Sequence, residues 1–259
     1  MLNVYSWNVN GIRAAEKKGF VPWLLGSGAD VVCVQEIKAR PEQLSAELRN
    51  PAGGGVSYRS FWAPAKRPGY SGVAIYSKID PDQVSVLGNA AFDDEGRVLA
   101  ARYGNLVVIG AYFPNSRDAG ARLPYKLDFC AAILDYCRAL VAAGRNIVLC
   151  GDYNIAHRPI DLARPRENEG NAGYLPEERA WMDTFTSSGF VDTFRHFHPE
   201  PQQYTWWSYR MNARENNVGW RIDYHCVNQG FLSAVRESFI LPQVFGSDHC
   251  PVGIALGEC

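Results

Sequence analysis

Short apolar runs rich in β-branched residues recur along the chain, and several stop at a carboxylate or an amide. The runs are Leu2–Trp7, Val31–Val34, Gly72–Tyr76, Val98–Tyr103, Leu106–Phe113, Ile147–Cys150, Ile222–Val227 and Cys250–Leu256. Each has strand length, and several are apolar throughout, as strands covered on both faces must be. Helix-like stretches lie between them. Leu123–Ala143 carries apolar residues at Leu127, Ala131, Leu134, Ala139 and Leu140, and Glu177–Ser188 follows Pro176 as a first helical turn does. This order predicts a mixed α/β sandwich: two sheets packed face to face, helices outside, and a site at one edge.

The 259 residues are 47% hydrophobic, enough for a large core. No linker, low-complexity block or short-period repeat divides them, so one catalytic domain over residues 1–259 is expected. There is no apolar run long enough to span a bilayer, and MLNVYSWNVNG lacks the regions of a signal peptide. The expected location is cytoplasmic, or nucleoid-associated in a prokaryote; a secreted protein or a membrane partner is not expected, and nothing points beyond a monomer. The cysteines, Cys33, Cys130, Cys137, Cys150, Cys226, Cys250 and Cys259, are odd in number and show no C-x-x-C spacing. Buried reduced thiols fit them best.

A net charge of −1 excludes a protein held to nucleic acid by bulk charge alone. Basic clusters at Arg13/Lys17/Lys18, Arg59/Lys66/Arg67, Arg158/Arg164/Arg166 and Arg210/Arg214/Arg221 offer local patches, although each taken singly reads more readily as an ordinary solvated face.

The polar strand ends are Trp7-Asn8-Val9-Asn10, Val34-Gln35-Glu36, Cys150-Gly151-Asp152-Tyr153-Asn154 and Ser247-Asp248-His249. Any one acid at such a place is ordinarily a turn former. Together, on one sheet edge, they can meet in space and present catalytic groups from a rigid frame. Oxygen donors without paired thiolates or zinc-spaced histidines suit a hard cation such as Mg²⁺, with Glu36 the leading ligand. His196-Phe-His198 reads as a loop before Pro199 with no metal role.

The segments SWNVNGIRA, VVCVQEIKA, GYSGVAIYSK, DEGRV, AYFPN, LCGDYNIAHRPIDL, NAGYLPEERAWMD, VDTFRHFHP, YTWWSYR, NARENNVGWRIDY and GSDHCPVGI occur in this order across almost the whole chain. In them the chain resembles the exonuclease III family, and within it the branch containing the principal human AP endonuclease. The resemblance implies a four-layer α/β-sandwich with one edge site. It also implies DNA base-excision repair: hydrolysis of the phosphodiester 5′ to an abasic site in double-stranded DNA, leaving a 3′-OH, with 3′-5′ exonuclease and 3′-end-cleaning activities. Mg²⁺ is the implied cofactor, with Mn²⁺ able to substitute.

Carried over by position, Glu36 matches the metal ligand, with Asn8 and Asp248 as ligands or ligand-positioners. Asp152 matches the residue that orients or deprotonates water, and Asn154 helps to place that water. His249 matches a phosphate-oxygen donor and Asp223 the carboxylate that holds its ring. Tyr112 corresponds to a tyrosine beside the phosphate or leaving group. Asn115, Asn168 and Asn171 match backbone-gripping amides; Arg210 lies in the loop where relatives insert a side chain into the DNA and Arg117 lies near another such position in a loop one residue shorter, a solvated loop arginine being the alternative for both. Trp206, Trp220 and Ile222 match the walls of a pocket for the base-less sugar. Asn10 and Arg210 depart from residues found in some relatives. Two competing readings are a less specific nuclease or phosphoesterase with the same catalytic core, and a catalytically weak DNA-binding relative.

Overall fold

The computed structural model describes residues 1–117 and 120–257. Two six-stranded sheets dominate it. The first has the order β13 (Val235–Ile240), β14 (Val252–Leu256), β1 (Leu2–Asn8), β2 (Val31–Gln35), β6 (Val73–Ser77) and β5 (Arg59–Ala63). The second has the order β11 (Phe190–Asp192), β12 (Asp223–Asn228), β10 (Asn146–Asp152), β9 (Leu106–Tyr112), β8 (Val98–Tyr103) and β7 (Gln83–Ser85). A separate two-stranded ribbon joins β3 (Ala52–Gly53) to β4 (Val56–Ser57). All eight predicted runs fall in strands of the two sheets, so the expected four-layer α/β sandwich is the fold.

Side-chain alternation along each strand divides the core into layers. Val31 and Cys33 of β2 join Val108, Val148 and Cys150 between the sheets, while Val32 and Val34 point to the opposite face with Ile12, Phe20 and Leu24. Helices Ile12–Lys17 and Phe20–Gly26 cover that outer face. On the other side, helices Leu123–Ala142 and Pro176–Ser187 cover the second sheet through Phe129, Ile133, Cys137, Met182 and Phe185. The buried stripe of the long helix is Lys126, Phe129, Cys130, Ile133, Leu134 and Cys137, which shares only Leu134 with the predicted stripe. A lysine at a core position breaks the apolar pattern, and the alanines that suggested the other face carry too little surface to define one.

Six cysteines are buried and free, and Cys259 lies outside the described residues. His196 sits in a short helix, Thr193–Phe197, rather than in a loop, because the Asp192 side chain caps its first turn through Arg195 N. The basic cluster Arg210/Arg214/Arg221 disperses: Arg221 is fully buried against Asp161 and Asp192, while Arg210 is exposed. Among the described residues, no helix is long and apolar enough to cross a membrane.

Candidate active site

Strand register explains why polar residues distant in sequence meet at one rim. In the second sheet Asp152 pairs with Tyr112 on one side and Asp223 on the other. In the first, Asn8 pairs with Gln35, which places Glu36 one residue beyond the strand end. The segment Ser247-Asp248-His249 was expected at a strand end, yet it precedes β14. Because β14 runs antiparallel to β1, pairing Val252 with Ser6, its start lies at the same rim as the end of β1. Gly151 makes the tight approach before Asp152. Its φ is 142°, and a Cβ there would stand 1.8 Å from Ala111 O, so only glycine fits.

Beyond the strand ends the backbone turns sharply. Glu36, Lys38, Asn10 and Asn154 all have positive φ, a conformation that costs side-chain-bearing residues about 1–2 kcal/mol each and persists only where neighbours hold it. The neighbours are visible. Asn8, fully buried, donates from Nδ2 to Glu36 Oε1 at 2.9 Å and to Asp152 Oδ2 at 2.8 Å, while its Oδ1 accepts from Asn10 N. Asn8 thus links both carboxylates to the turn at Asn10, and its Oδ1 keeps a second lone pair. Asp248 accepts from Asn10 Nδ2 and Ser247 Oγ on Oδ1 and from Trp206 Nε1 on Oδ2.

Lys38 bridges the same group: its Nζ lies 2.7 Å from Glu36 Oε2 and donates to Asn10 Oδ1 at 2.5 Å. Burial acts to raise the Glu36 carboxyl, but Lys38 and the Asn8 amide outweigh it and hold Glu36 below the usual range. Lys38 was not singled out from sequence. It stands two residues from Glu36, where a carboxylate that must stay ionised while half-buried needs a cation.

His249 Nδ1 lies 2.9 Å from Asp223 Oδ2, and its Nε2 lies 3.8 Å from Asp152 Oδ2. Thr205 donates to Asp223 Oδ2 at 2.6 Å and accepts from Ile222 N and Asp223 N, so the carboxylate is fixed by its own strand. Burial alone would lower the imidazole. Asp223 and then Asp152 reverse this and push it up to about 10, so His249 carries both protons at neutral pH. Burial, with Asp223 and Glu36 nearby, pushes Asp152 up to about 7 against the opposing pull of His249. Burial, then Glu36 and Asp152, holds the Tyr112 phenol well above its ordinary range, leaving it a neutral donor.

Glu36, Asp152 and His249 bring ligand-type atoms within 4.8 Å of one another. His249 Nδ1 is engaged with Asp223, and the two carboxylates supply the oxygen atoms of the group. Oxygen donors of this kind fit a hard divalent cation.

One cavity of about 210 Å³ unites these groups. Its lining contains Glu36, Tyr112, Asn115, Asp152, Asn154, Trp206, Trp220, Ile222, Asp248 and His249, with Ala172 and Gly173 closing one side. Trp206 and Trp220 meet edge to face, ring centroids 6.3 Å apart, over Ala156, Leu162, Tyr174 and Ile222. Trp207 points the other way, buried against Arg214. Asn154 Nδ2 donates to Asp152 Oδ2 and Phe113 O, and its Oδ1 accepts from Asn115. Asn171 Nδ2 donates to Asn168 Oδ1 and Asn168 Nδ2 to Arg164 O, outside the cavity lining. Arg117 and Arg210 are exposed and also outside it.

A family model described as the Endonuclease/Exonuclease/phosphatase family matches residues 5–249. An exodeoxyribonuclease of Bacillus subtilis (strain 168) is 39% identical over 258 residues, which cover 98% of this chain and 99% of that protein. DNA repair nuclease APEX1 of Danio rerio is 38% identical over 259 residues, covering 98% of this chain and 82% of that protein. Among solved structures, AP endonuclease LMAP from Leishmania major superposes with a TM-score of 0.89 at 27% identity, covering 100% of this chain and 88% of that one. With the family model reaching from the first strand to His249, and with a relative 39% identical over 99% of its own length, this chain belongs to the Endonuclease/Exonuclease/phosphatase family.

Proposed function

We propose that the chain is a DNA-repair AP endonuclease that hydrolyses the phosphodiester 5′ to an abasic site and leaves a 3′-OH. One observation carries this reading: a single small cavity places ionised carboxylates and a doubly protonated imidazole beside an apolar aromatic niche. The volume of about 210 Å³ is below the roughly 300–1,000 Å³ of drug-sized sites, which suits a sugar phosphate without its base.

In this mechanism Glu36, beside Asp152, would hold Mg²⁺ or Mn²⁺, which would supply charge neutralisation at the phosphate. Asp152 accepts the proton of the attacking water, and the Asn154 amide, bonded to that carboxylate, keeps it aimed. His249 donates from Nε2 to a non-bridging phosphate oxygen, with Asp223 fixing its ring. The neutral Tyr112 phenol donates at the leaving-oxygen side. Asn8 and Asp248 act as positioners. Trp206, Trp220 and Ile222 enclose the sugar, and Asn115 grips the backbone. Asn168 and Asn171, with Arg117 and Arg210 on exposed loops, contact the flanking DNA. A depression lined by Arg13, Lys17 and Lys38 adjoins Glu36 and offers a path for phosphates.

The reading further takes residues 1–259 as one catalytic domain acting as a cytoplasmic or nucleoid-associated monomer, with 3′-5′ exonuclease and 3′-end-cleaning as lesser activities. The test is a duplex panel carrying an abasic site, uracil, a 3′-phosphate nick or no lesion, assayed with Mg²⁺, Mn²⁺ or EDTA. Preferential incision of the abasic strand with either cation, abolished by EDTA, is the expected result. Equal cutting of the intact duplex would remove the specificity claim.

A further inference from the structure

Lys126 and Glu178 form a fully buried ion pair behind the cavity, each side chain 0% exposed. Charged side chains are almost never buried this way unless paired, and a buried pair usually adds little net stability over an apolar one. The contacts give another reason for it. Lys126 Nζ donates to Glu178 Oε1 at 2.6 Å and to the Asn154 carbonyl oxygen at 2.7 Å. Glu178 Oε1 also accepts from the Ser116 hydroxyl, and its Oε2 accepts from Leu175 N at 2.9 Å.

Three cavity-lining loops therefore converge on one carboxylate–ammonium pair. Ser116 follows Asn115; Asn154 follows Asp152 and stands at φ 52°; Leu175 closes the turn that begins with Ala172 and Gly173. A further bond, Ala156 N to Gly173 O at 2.8 Å, ties the last two loops together. Helices Leu123–Ala142 and Pro176–Ser187 supply the two charges, so the loops are referenced to rigid elements as well as to one another.

We infer that the Lys126–Glu178 pair is a positioning device that holds the Asn115, Asp152–Asn154 and Ala172–Gly173 loops in the geometry that hydrolysis requires. This rests on the proposed catalytic reading of the cavity. The pair touches no substrate; it acts through the Asn154 carbonyl and the Ser116 hydroxyl.

The test uses the full chain carrying the charge-neutral double substitution Lys126→Met with Glu178→Gln, on whichever phosphodiester or 3′-phosphate substrate the unaltered protein hydrolyses. Failure of that unaltered protein on every substrate indicts the catalytic reading, separately from the role of the pair. The double variant should keep its Tm within a few degrees, because no lone charge is left buried. Its kcat should fall on the order of 10- to 100-fold, since misplacement by about 1 Å costs that much, with KM nearly unchanged. Amide exchange should quicken in 113–117, 153–156 and 172–175 and stay protected elsewhere. A second variant, Ser116→Ala, leaves the ion pair intact and should lower kcat several-fold. A folded double variant with unaltered kcat would overturn the inference. If the double variant does not fold, unaltered kcat in Ser116→Ala with unaltered exchange in 113–117 would do the same.

Discussion

Asp223→Asn isolates the electrostatic work of one carboxylate. An amide has the same shape, and its oxygen can still accept from Thr205 Oγ1 and His249 Nδ1, which Asp223 Oδ2 serves at 2.6 Å and 2.9 Å. What is lost is the charge that most raises the His249 imidazole to about 10. At pH 8 a group titrating near 10 is about 99% protonated, whereas one returned to the ordinary value near 6.5 is about 3% protonated. On protonation alone the variant should be about 30-fold slower at pH 8, about 4-fold slower at pH 7 and nearly equal at pH 6. Asp152, pushed up to about 7 in part by Asp223, imposes an acidic limb that the substitution itself alters, so the comparison is read on the alkaline side, where that carboxylate is ionised. Single-turnover incision of an abasic duplex from pH 6 to 10 at constant ionic strength gives the ratio of the two rates. A ratio that stays flat across the range would show that Asp223 acts through shape alone.

Glu36→Gln removes a cavity carboxylate held below its usual range and should lower kcat about 10²- to 10³-fold while abasic-duplex affinity stays within a few-fold; near-normal turnover at saturating Mg²⁺ would show the ligand is misassigned. Trp220→Ala opens the wall that meets Trp206 edge to face, a contact of about 0.5–1.5 kcal/mol, so preference for abasic over intact duplex should fall about 2- to 12-fold. Preserved preference would place the specificity elsewhere. His225 is buried with Nε2 unpaired, and burial pushes its imidazole down to about 3 from an ordinary 6.5. Below pH 6.5 the unfolded chain binds a proton that the folded one refuses, so stability should fall by about 1.4 kcal/mol per unit down to about pH 3. Urea midpoints of His225→Leu should lack that component of the acid slope; identical slopes in the two proteins would count against it.

What could be read from the chain follows from how each element meets solvent. The interior strands β1, β2, β6, β8, β9, β10, β12 and β14 announce themselves as apolar runs because neighbours and a facing layer cover them. Within the two six-stranded sheets, the strands that left no such run, β5, β7, β11 and β13, are the four edges. Val235–Ile240 reads VRESFI with Arg236 and Glu237 exposed, a pattern that serves a strand open on one side and looks like a loop in sequence. Candidate site residues were legible where chemistry is local to a strand end, as with Asn8, Glu36 and Asp152. They were illegible where the role depends on a partner from another element. Lys126 lies 28 residues from Asn154 and 52 from Glu178, inside a helix whose apolar stripe it interrupts. Read along the chain it is an anomaly in the stripe; read across the fold it is the donor that satisfies a buried carbonyl at a strained turn. Deviations from a hydrophobic pattern at buried positions are therefore where second-layer support for a catalytic rim is to be sought, since burying a charge is unfavourable unless something beyond packing holds it there.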